Sequence, residues 1–403
     1  MQTMAGVRIL EVAEHTFVPA AAAVLADWGA DVIKIEHAER GDAMRGLGRT
    51  GVLDLSKGVH VLLEHSNRGK RSIGIDLSKP DALEVVYALA RTADVFLTNK
   101  LPGVLERLKI DEDHIRKLNP NIVYVRGTAF GPSGPDRDKG GYDATAYWSR
   151  GGSADSATLP GSDIVPQPGP AYGDSIGAMT IAGGIAAALF RRERTGVAGS
   201  VDVSLLATGA WAMSAAIALS LQQGRPWRAA ATAGALANPL VSLYETSDGR
   251  YLSLVMLQGF AYWPDFCEHI GRRDLVTDPR FGSHEQLFAN AAEARRIVQQ
   301  EIGSQPLAYW VQRFETLKGQ WTVVQDTLEV AADPQMRANG YLVGAQTRDG
   351  TPFELVAAPV QFDGERGKTR RAPEFNEHCD EILAELGIDQ QRVLDLKISG
   401  ALA

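Results

Sequence analysis

Apolar and polar residues alternate along the first third of the chain in two rhythms. Val7–Val12 is a short apolar run that reads as a strand. Val18–Trp28 (VPAAAAVLADW) reads as a helix, with Pro19 suited to its first turn and Gly29 to its C-cap. Asp31–Glu36 (DVIKIE) is a second strand. The unit repeats as Ser72–Leu77, a helix over Asp81–Thr92 and the strand Asp94–Asn99. A helix over Leu105–Leu118 and the strand Asn121–Gly127 follow. Repeated β-α-β units predict a parallel sheet covered on both faces. Ligands of such sheets lie beyond the carboxyl ends of the strands.

Phe130–Gly173 is rich in Gly, Pro, Ser and Asp and reads as a long surface excursion. Two apolar stretches come next. Ile176–Phe190 would reach only about 22 Å as a helix. Val203–Leu221 carries no charge but is rich in Ala and Ser. Both read as buried helices rather than a transmembrane hairpin. Gln222–Asn238 reads as a linker. Leu243–Thr246, the turn Ser247-Asp248-Gly249 and Tyr251–Met256 predict a hairpin. Helical patterning then runs from about Trp263 to Val330. The tail offers a strand over Phe353–Phe362 and a helix over Asp380–Leu386.

Composition narrows the class. The chain has 403 residues, 45% hydrophobic and 22% charged, as in an ordinary folded protein of two to three domains. Its net charge of −8 argues against nonspecific nucleic-acid binding, which needs a basic face. Cys267 and Cys379 are far apart and outside any metal or CxxC spacing, which reads as two buried thiols in a reducing cytoplasm. The N-terminal MQTMAGVRILEV lacks the pattern of a signal peptide and leads into a first strand.

The first βα turn (AEHTFVPAAAAV) has no GxGxxG, so the usual dinucleotide fingerprint is missing. No Walker A, HExxH or GxSxG occurs either. Gly173-Asp174-Ser175 is the most suggestive segment. Asp174 stands just before a long apolar helix, where it could be a plain N-cap. The other reading is a carboxylate beside a glycine, open to a ligand and kept ionised by the helix dipole. An ionised carboxylate can act as a nucleophile without a base. None of the eight histidines has strong metal-ligand spacing, His60 and His65 being the nearest pair. The run from Arg191 to Arg194 reads as a solvated turn. Arg68, Lys70 and Arg71 suit either a phosphate contact or a cationic strand edge.

Several segments together resemble the class III CoA-transferases, the CaiB/BaiF family. GVRILEVAEHTFVPAAAAVLADWGADVIKIEHAERGD resembles the family's opening βαβ, and NRGKRSIGIDLSKPDA its second unit. ADVFLTNKLPGVLERL is similar to the family's ADV-x-x-EN-[FY]-x-PG segment. AFGPSGP stands for GFGxxGP, GYD falls at Gly141-Tyr142-Asp143, and RTGVAGSVDVSLL and APEFNEHCDEILAELG match later signatures. The order is kept over nearly the whole chain.

The resemblance implies an α/β fold. A Rossmann-like large domain would span residues 1–225, a smaller α+β domain 226–330, and residues 331–403 would return to the large domain. It also implies a homodimer whose chains interlock like linked rings. The family's catalytic Asp falls at Asp174. It would attack an acyl-CoA thioester and form a mixed anhydride, then an enzyme-bound CoA thioester that a carboxylic acid resolves. No prosthetic group, metal, nucleic acid or membrane is implied; the partners are acyl-CoA and an acid. The oxyanions need backbone N–H donors nearby, and water must be kept out. CoA contacts carried over are His15 and Thr16 in the first turn, His37 after the second strand, and Ile75 to Ser78. Asn99, Arg107, and Gly140 with Tyr142 beside the acyl site complete the set.

Three positions depart from formyl-CoA:oxalate enzymes. Thr16 stands where they carry Gln, Met256–Phe260 (MLQGF) replaces a glycine run, and Lys100 replaces an aromatic. Such changes point away from a small dicarboxylate and towards a larger or apolar acyl group. Alternatives are a racemase-like isomerase, a non-catalytic CoA-binding protein and a Rossmann oxidoreductase. The racemase needs a His where Tyr142 stands, and a phenol of pKa near 10 is a poor base at neutral pH.

Overall fold

The computed structural model describes residues 2–55, 58–159, 161–228, 237–365 and 367–403. The expected linker therefore lies partly outside it, at 229–236. The chain divides into two compact units. The larger holds Met1–Ala157, Ile164–Trp227 and Gln335–Ala403, and the smaller Thr158–Asp163 and Arg228–Pro334.

The larger unit is built on a six-stranded sheet: β1 (Arg8–Val12), β2 (Asp31–Glu36), β3 (Arg71–Gly74), β4 (Val95–Thr98), β5 (Val123–Thr128) and β6 (Ser200–Ser204). The order is β3-β2-β1-β4-β5-β6, and every pair is parallel. The chain reverses direction across the sheet between β1 and β4, which is where such folds open a ligand crevice. The helices are α1 (Phe17–Asp27), α2 (Val61–Asn67), α3 (Ala82–Thr92), α4 (Pro102–Arg107), α5 (Glu112–Leu118), α6 (Ser153–Ala157), α7 (Tyr172–Thr195), α8 (Leu205–Ala212) and α9 (Ser214–Gln223). One core joins α1 and α7 to one face of the sheet through Ile9, Val18, Leu25, Val125, Ile181 and Ile185. A second core lies with α3 and the tail helix Cys379–Glu385 through Leu10, Ile73, Phe96, Val86 and Ile382.

The expected strands β1 to β5 are present, each within a few residues of its expected bounds. Four readings change. The helix expected over Leu105–Leu118 is two helices: Lys109 takes φ 55, and Asp111 caps α5 by accepting from the N–H groups of Asp113 and His114. The excursion carries a π-helical turn over Asp143–Ser149 and helix α6. The second apolar run is not one buried helix. Its first residues belong to β6, whose Asp202 pairs with Arg126 of β5 at 2.7 Å. The rest bends by 68° between α8 and α9, and α9 buries no residue. α7 is long and apolar enough to cross a bilayer, but it packs one face on α1 with Ala178, Ile181, Ala182 and Ile185 buried.

Near the tail, β10 (Leu342–Gln346) and β11 (Pro352–Val356) pair antiparallel, so the expected strand is shorter and has a partner. The chain then returns to the outer edge of β3. His378 N–H donates to Ser72 O, Asp76 N–H to Ala401 O, and Ala403 N–H to Gly74 O. In the smaller unit, β7 (Val241–Glu245) and β8 (Tyr251–Val255) form the expected hairpin, with Gly249 at φ 73 in its turn. β9 (Trp321–Val323) joins β8 inside a stretch expected to be helical. Trp263, Phe266, Phe281, Phe314 and Leu254 fill that unit's own core. Cys267 and Cys379 are both free and buried.

Candidate active site

Two adjoining hollows open at the carboxyl ends of the strands. The larger, about 680 Å³, runs from the turn after β1 past the ends of β4 and β5 to the start of α7. His15, Asn99, Arg107, Gly140, Tyr142 and Asp174 all line it. The smaller, about 340 Å³, lies over the ends of β2 and β3 and is lined by His37, Ile75 and Ser78. Glu14, Arg40, Lys100, Val104 and Arg107 line both, so they form the neck between them.

Thr16 lines neither hollow. It is 3% exposed and precedes α1, its carbonyl accepting from Ala20 N–H at 2.8 Å. The next residue, Phe17, faces the cleft instead. A Cβ at Gly127 would meet Phe17 at 3.0 Å and Val18 at 2.2 Å, and one at Gly177 would meet Phe17 at 2.3 Å. Those two glycines give the ring its place.

The turn after β1 is held rigidly. His15 takes φ 69, in the left-handed region that residues other than glycine enter uncommonly. Its N–H donates to Asp42 Oδ1 at 3.0 Å. Asn99 Nδ2 donates to Glu14 O at 2.7 Å, and Glu14 N–H donates back to Asn99 Oδ1 at 3.2 Å. Asn99 therefore ties the ends of β1 and β4 together as well as lining the cleft. Lys100 Nζ pairs with Glu14 at 2.7 Å, and the ring of Tyr142 meets that of His15 edge-on at 5.4 Å.

Beneath this turn lies a buried charge cluster. Glu11 and Lys34 are opposite one another in the register of β1 and β2. Lys34 Nζ lies 2.7 Å from Glu11 and 2.8 Å from Asp42, and donates to Ala13 O at 2.8 Å. Lys70 Nζ lies 2.6 Å from the other Glu11 oxygen and donates to Pro19 O and Asn67 Oδ1. Desolvation opposes the charge on both lysines. The several carboxylates around Lys34 outweigh it and raise that pKa, whereas Lys70, sharing one carboxylate, falls to about 7. Arg68 is buried against Asp27 at 2.8 Å, and Arg71 pairs with Asp31 and Glu385. Arg68 and Lys70 are buried, which overturns the reading of an exposed cationic edge for those two. None of the three cations lines the two hollows, and Lys70 and Arg71 line a separate hollow of about 380 Å³ with Arg370 and Arg371.

Asp174 lies in the first turn of α7, not ahead of it; the N-cap position is Ala171, at φ 57. Burial, reinforced by the nearby charge of Asp143, pushes the Asp174 pKa up to about 7. The expected effect of the helix dipole is outweighed. The reason is visible in the donors. Asp143 Oδ2 accepts from Gly173 N–H at 2.8 Å and from Asp174 N–H at 3.4 Å. Tyr172 and Ser175 N–H donate to Gly169 O and Ala171 O. The first turn thus offers no unoccupied N–H to Asp174 or to an oxyanion. Asp143 itself is buried, with Oδ1 unpartnered and its pKa raised by desolvation. Sequence reasoning reached Asp143 only as the third letter of GYD.

His65 Nε2 lies 3.2 Å from Ser175 Oγ, and burial lowers its pKa to about 4, so it is neutral. His60 accepts from Leu63 N–H and meets Met44 O through its other nitrogen. Among the described residues no His, Cys, Asp and Glu gather as a metal site.

Comparison with known proteins defines the class. The model of CoA-transferase family III matches residues 4–379. The (R)-2-hydroxy-4-methylpentanoate CoA-transferase of Clostridioides difficile is 29% identical, covering 98% of each chain. The succinate–glutarate CoA-transferase of Agrobacterium fabrum is 30% identical, covering 95% of each. A CaiB/BaiF family protein from Brucella suis has a similar structure, with TM-score 0.80 and 26% identity over 95% of this chain and 99% of its own. The chain belongs to CoA-transferase family III. It is an enzyme of that class, which uses CoA thioesters as substrates.

Proposed function

We propose that this enzyme moves CoA from an acyl-CoA to a carboxylic acid through covalent intermediates on Asp174. The observation that carries the reading is a buried carboxyl group in a cleft beyond the strand ends, close to the switch in strand order. The cationic neck at Arg40, Lys100 and Arg107 suits the phosphates of CoA, and the smaller hollow at His37, Ile75 and Ser78 suits its nucleotide end. The wall of Phe17, Ala129, Leu205 and Tyr142 beside Asp174 suits an acyl chain.

The Asp174 carboxylate adds to the thioester carbonyl, the C–S bond breaks, and a mixed anhydride and CoA thiolate form. The thiolate, from a thiol of pKa about 8.5, is a tolerable leaving group. It then attacks the aspartyl carbonyl and releases the donor acid, leaving an aspartyl-CoA thioester. The acceptor carboxylate attacks that thioester, and the thiolate released takes the acceptor's acyl group from the second anhydride. Asp174 is regenerated as a carboxylate. One thioester replaces another, so no ATP is consumed.

Incubation with acyl-CoA followed by borohydride or hydroxylamine should modify Asp174, as read by peptide mass spectrometry. An unmodified Asp174, or full activity in Asp174→Ala, overturns the proposal. Deuterium entering Cα of a 2-methylacyl-CoA without CoA transfer would favour the isomerase instead.

We further propose that the enzyme works as a homodimer of interlocked chains. The outward apolar face of α8 and α9, with Trp211 of α8 79% and Leu221 of α9 80% exposed, supports a second copy packing there.

A further inference from the structure

We propose that Asp143 is a positioning residue for Asp174: its carboxylate clamps the first turn of α7, and its charge tunes the nucleophile. The inference rests on Asp174 being the nucleophile. The clamp is direct, through the N–H groups of Gly173 and Asp174. The two acids come from separate segments, and no side chain separates them at this point. A Cβ on Gly173 would lie 2.5 Å from Asp143 Oδ1 and 2.3 Å from the ring of Tyr147. The glycine lets the second acid approach the backbone this closely.

A helix N-terminus ordinarily makes a carboxylate less basic, through free N–H groups and the positive end of the dipole. Here Asp143 takes two of those donors and sets a second negative charge beside the first. Of the two acids, Asp143 has the N–H donors, which favour its anion against the burial that raises its pKa. Asp174 has no donor to its carboxyl among the described residues, and its pKa is pushed up to about 7. The pair titrates as a unit.

The result matters for the chemistry. A carboxylate of ordinary pKa is a weak nucleophile towards a thioester and a good leaving group from the anhydride, so the first step would run steeply uphill. A more basic carboxylate attacks better and departs less readily. Its pKa comes nearer that of the thiol it displaces. The cost is that it must lose a proton before it can attack.

Burial is the larger cause of the raised Asp174 pKa and the Asp143 charge adds to it; the other groups packed against this turn do not supply the effect. α2 brings His65, which is neutral. α1 carries one charged residue, Asp27, at its far end and paired with Arg68. β5 brings Arg126, which is paired with Asp202 of β6, and Tyr124, whose hydroxyl donates to Ile110 O. α8 has no titratable residue. The π-helical turn adds Tyr147, whose pKa burial raises, and the helix start adds Tyr172, whose ring meets it edge-on. Across the cleft, Lys139 is paired with Asp136, Lys100 and Arg40 share Glu14, and His15, Arg107 and Tyr142 complete the wall.

The test is the pH dependence of kcat/KM in the full-length enzyme. Activity of the parent should rise through a pKa near 7 as Asp174 loses its proton. Asp143→Asn keeps an oxygen to accept the Gly173 N–H but removes the charge. Its acid limb should move to lower pH by about one unit, and its plateau should fall about tenfold. A limb that stays in place overturns the inference, because a purely structural clamp would lower the rate without moving the limb. Infrared difference spectra between the parent and Asp174→Asn read the Asp174 carboxyl directly, whether or not Asp143→Asn folds. A titration near pH 7 supports the pairing, and one in the ordinary carboxylate range overturns it. If no aspartyl adduct forms in the parent, the nucleophile reading has failed instead.

Discussion

Gly173 shows how much one missing methyl group can decide. It sits between the ring of Tyr147, 1% exposed, and the carboxylate of Asp143. The ring cannot swing away, so a Cβ would push the first turn of α7 off its acceptor. Overpacking of this kind costs about 1–3 kcal/mol. Misplacing a reacting group by about 1 Å can cost about 100-fold in rate. Gly173→Ala should therefore lose about two orders of magnitude in kcat while remaining folded, as checked by steady-state kinetics beside a melting curve. Unchanged kcat would mean that the turn tolerates the shift. At this scale the sequence was partly legible. Asp174 stood out because a Gly-Asp pair precedes an apolar run. Phe17 was hidden behind Thr16, since its place in the cleft depends on Gly127 and Gly177, far along the chain, where a Cβ would meet its ring. Asp143 acts across thirty positions of chain, and no local pattern announces that.

Among elements, β2 illustrates how an alternating strand can carry charge inwards. Lys34 and Glu36 are two apart on DVIKIE, so both side chains leave the same face. They meet Glu11, Asp42, Arg45 and Ser72. The periodicity identified the strand but could not distinguish a solvated polar face from a buried one. Removing one member of a buried ion pair leaves its partners unpaired, which typically costs about 3–5 kcal/mol. Lys34→Met should reach that range, because Glu11 and Asp42 both lose a cation and Ala13 O loses its donor. Lys70→Met should cost less. Lys70 serves one carboxylate that keeps Lys34, and it already sheds its proton easily. Urea unfolding of the two variants compares them, and equal losses would contradict this ranking. β6 was missed for a different reason. Its Val201 and Val203 run into an uncharged stretch, so helical composition masked a short alternating strand.

At the scale of the whole molecule, the strand order 3-2-1-4-5-6 follows from repeated β-α-β units, which the first half of the sequence displays openly. The returning tail and the hairpin β10–β11 are less visible, because their partners lie hundreds of residues earlier or in short, half-exposed strands. The proposed association of copies rests, on the side of the sequence, on family resemblance alone. The outward face of α8 and α9 gives that expectation a physical form. Trp211→Glu combined with Leu221→Glu should disrupt the proposed dimer, which light scattering after size exclusion would detect. A double variant of unchanged mass would place the contact elsewhere.

The seal along β3 bears on how the protein is made. The backbone groups of Ser72, Gly74 and Asp76 are met by residues between Asn376 and Ala403. During translation at about 5–20 residues per second, that flank stays open on the order of tens of seconds after its own residues emerge from the ribosome. An unpaired strand is a template for wrong partners. The nascent chain thus passes through an interval when chaperones have most to protect, and it closes only when residues 376–403 have been made.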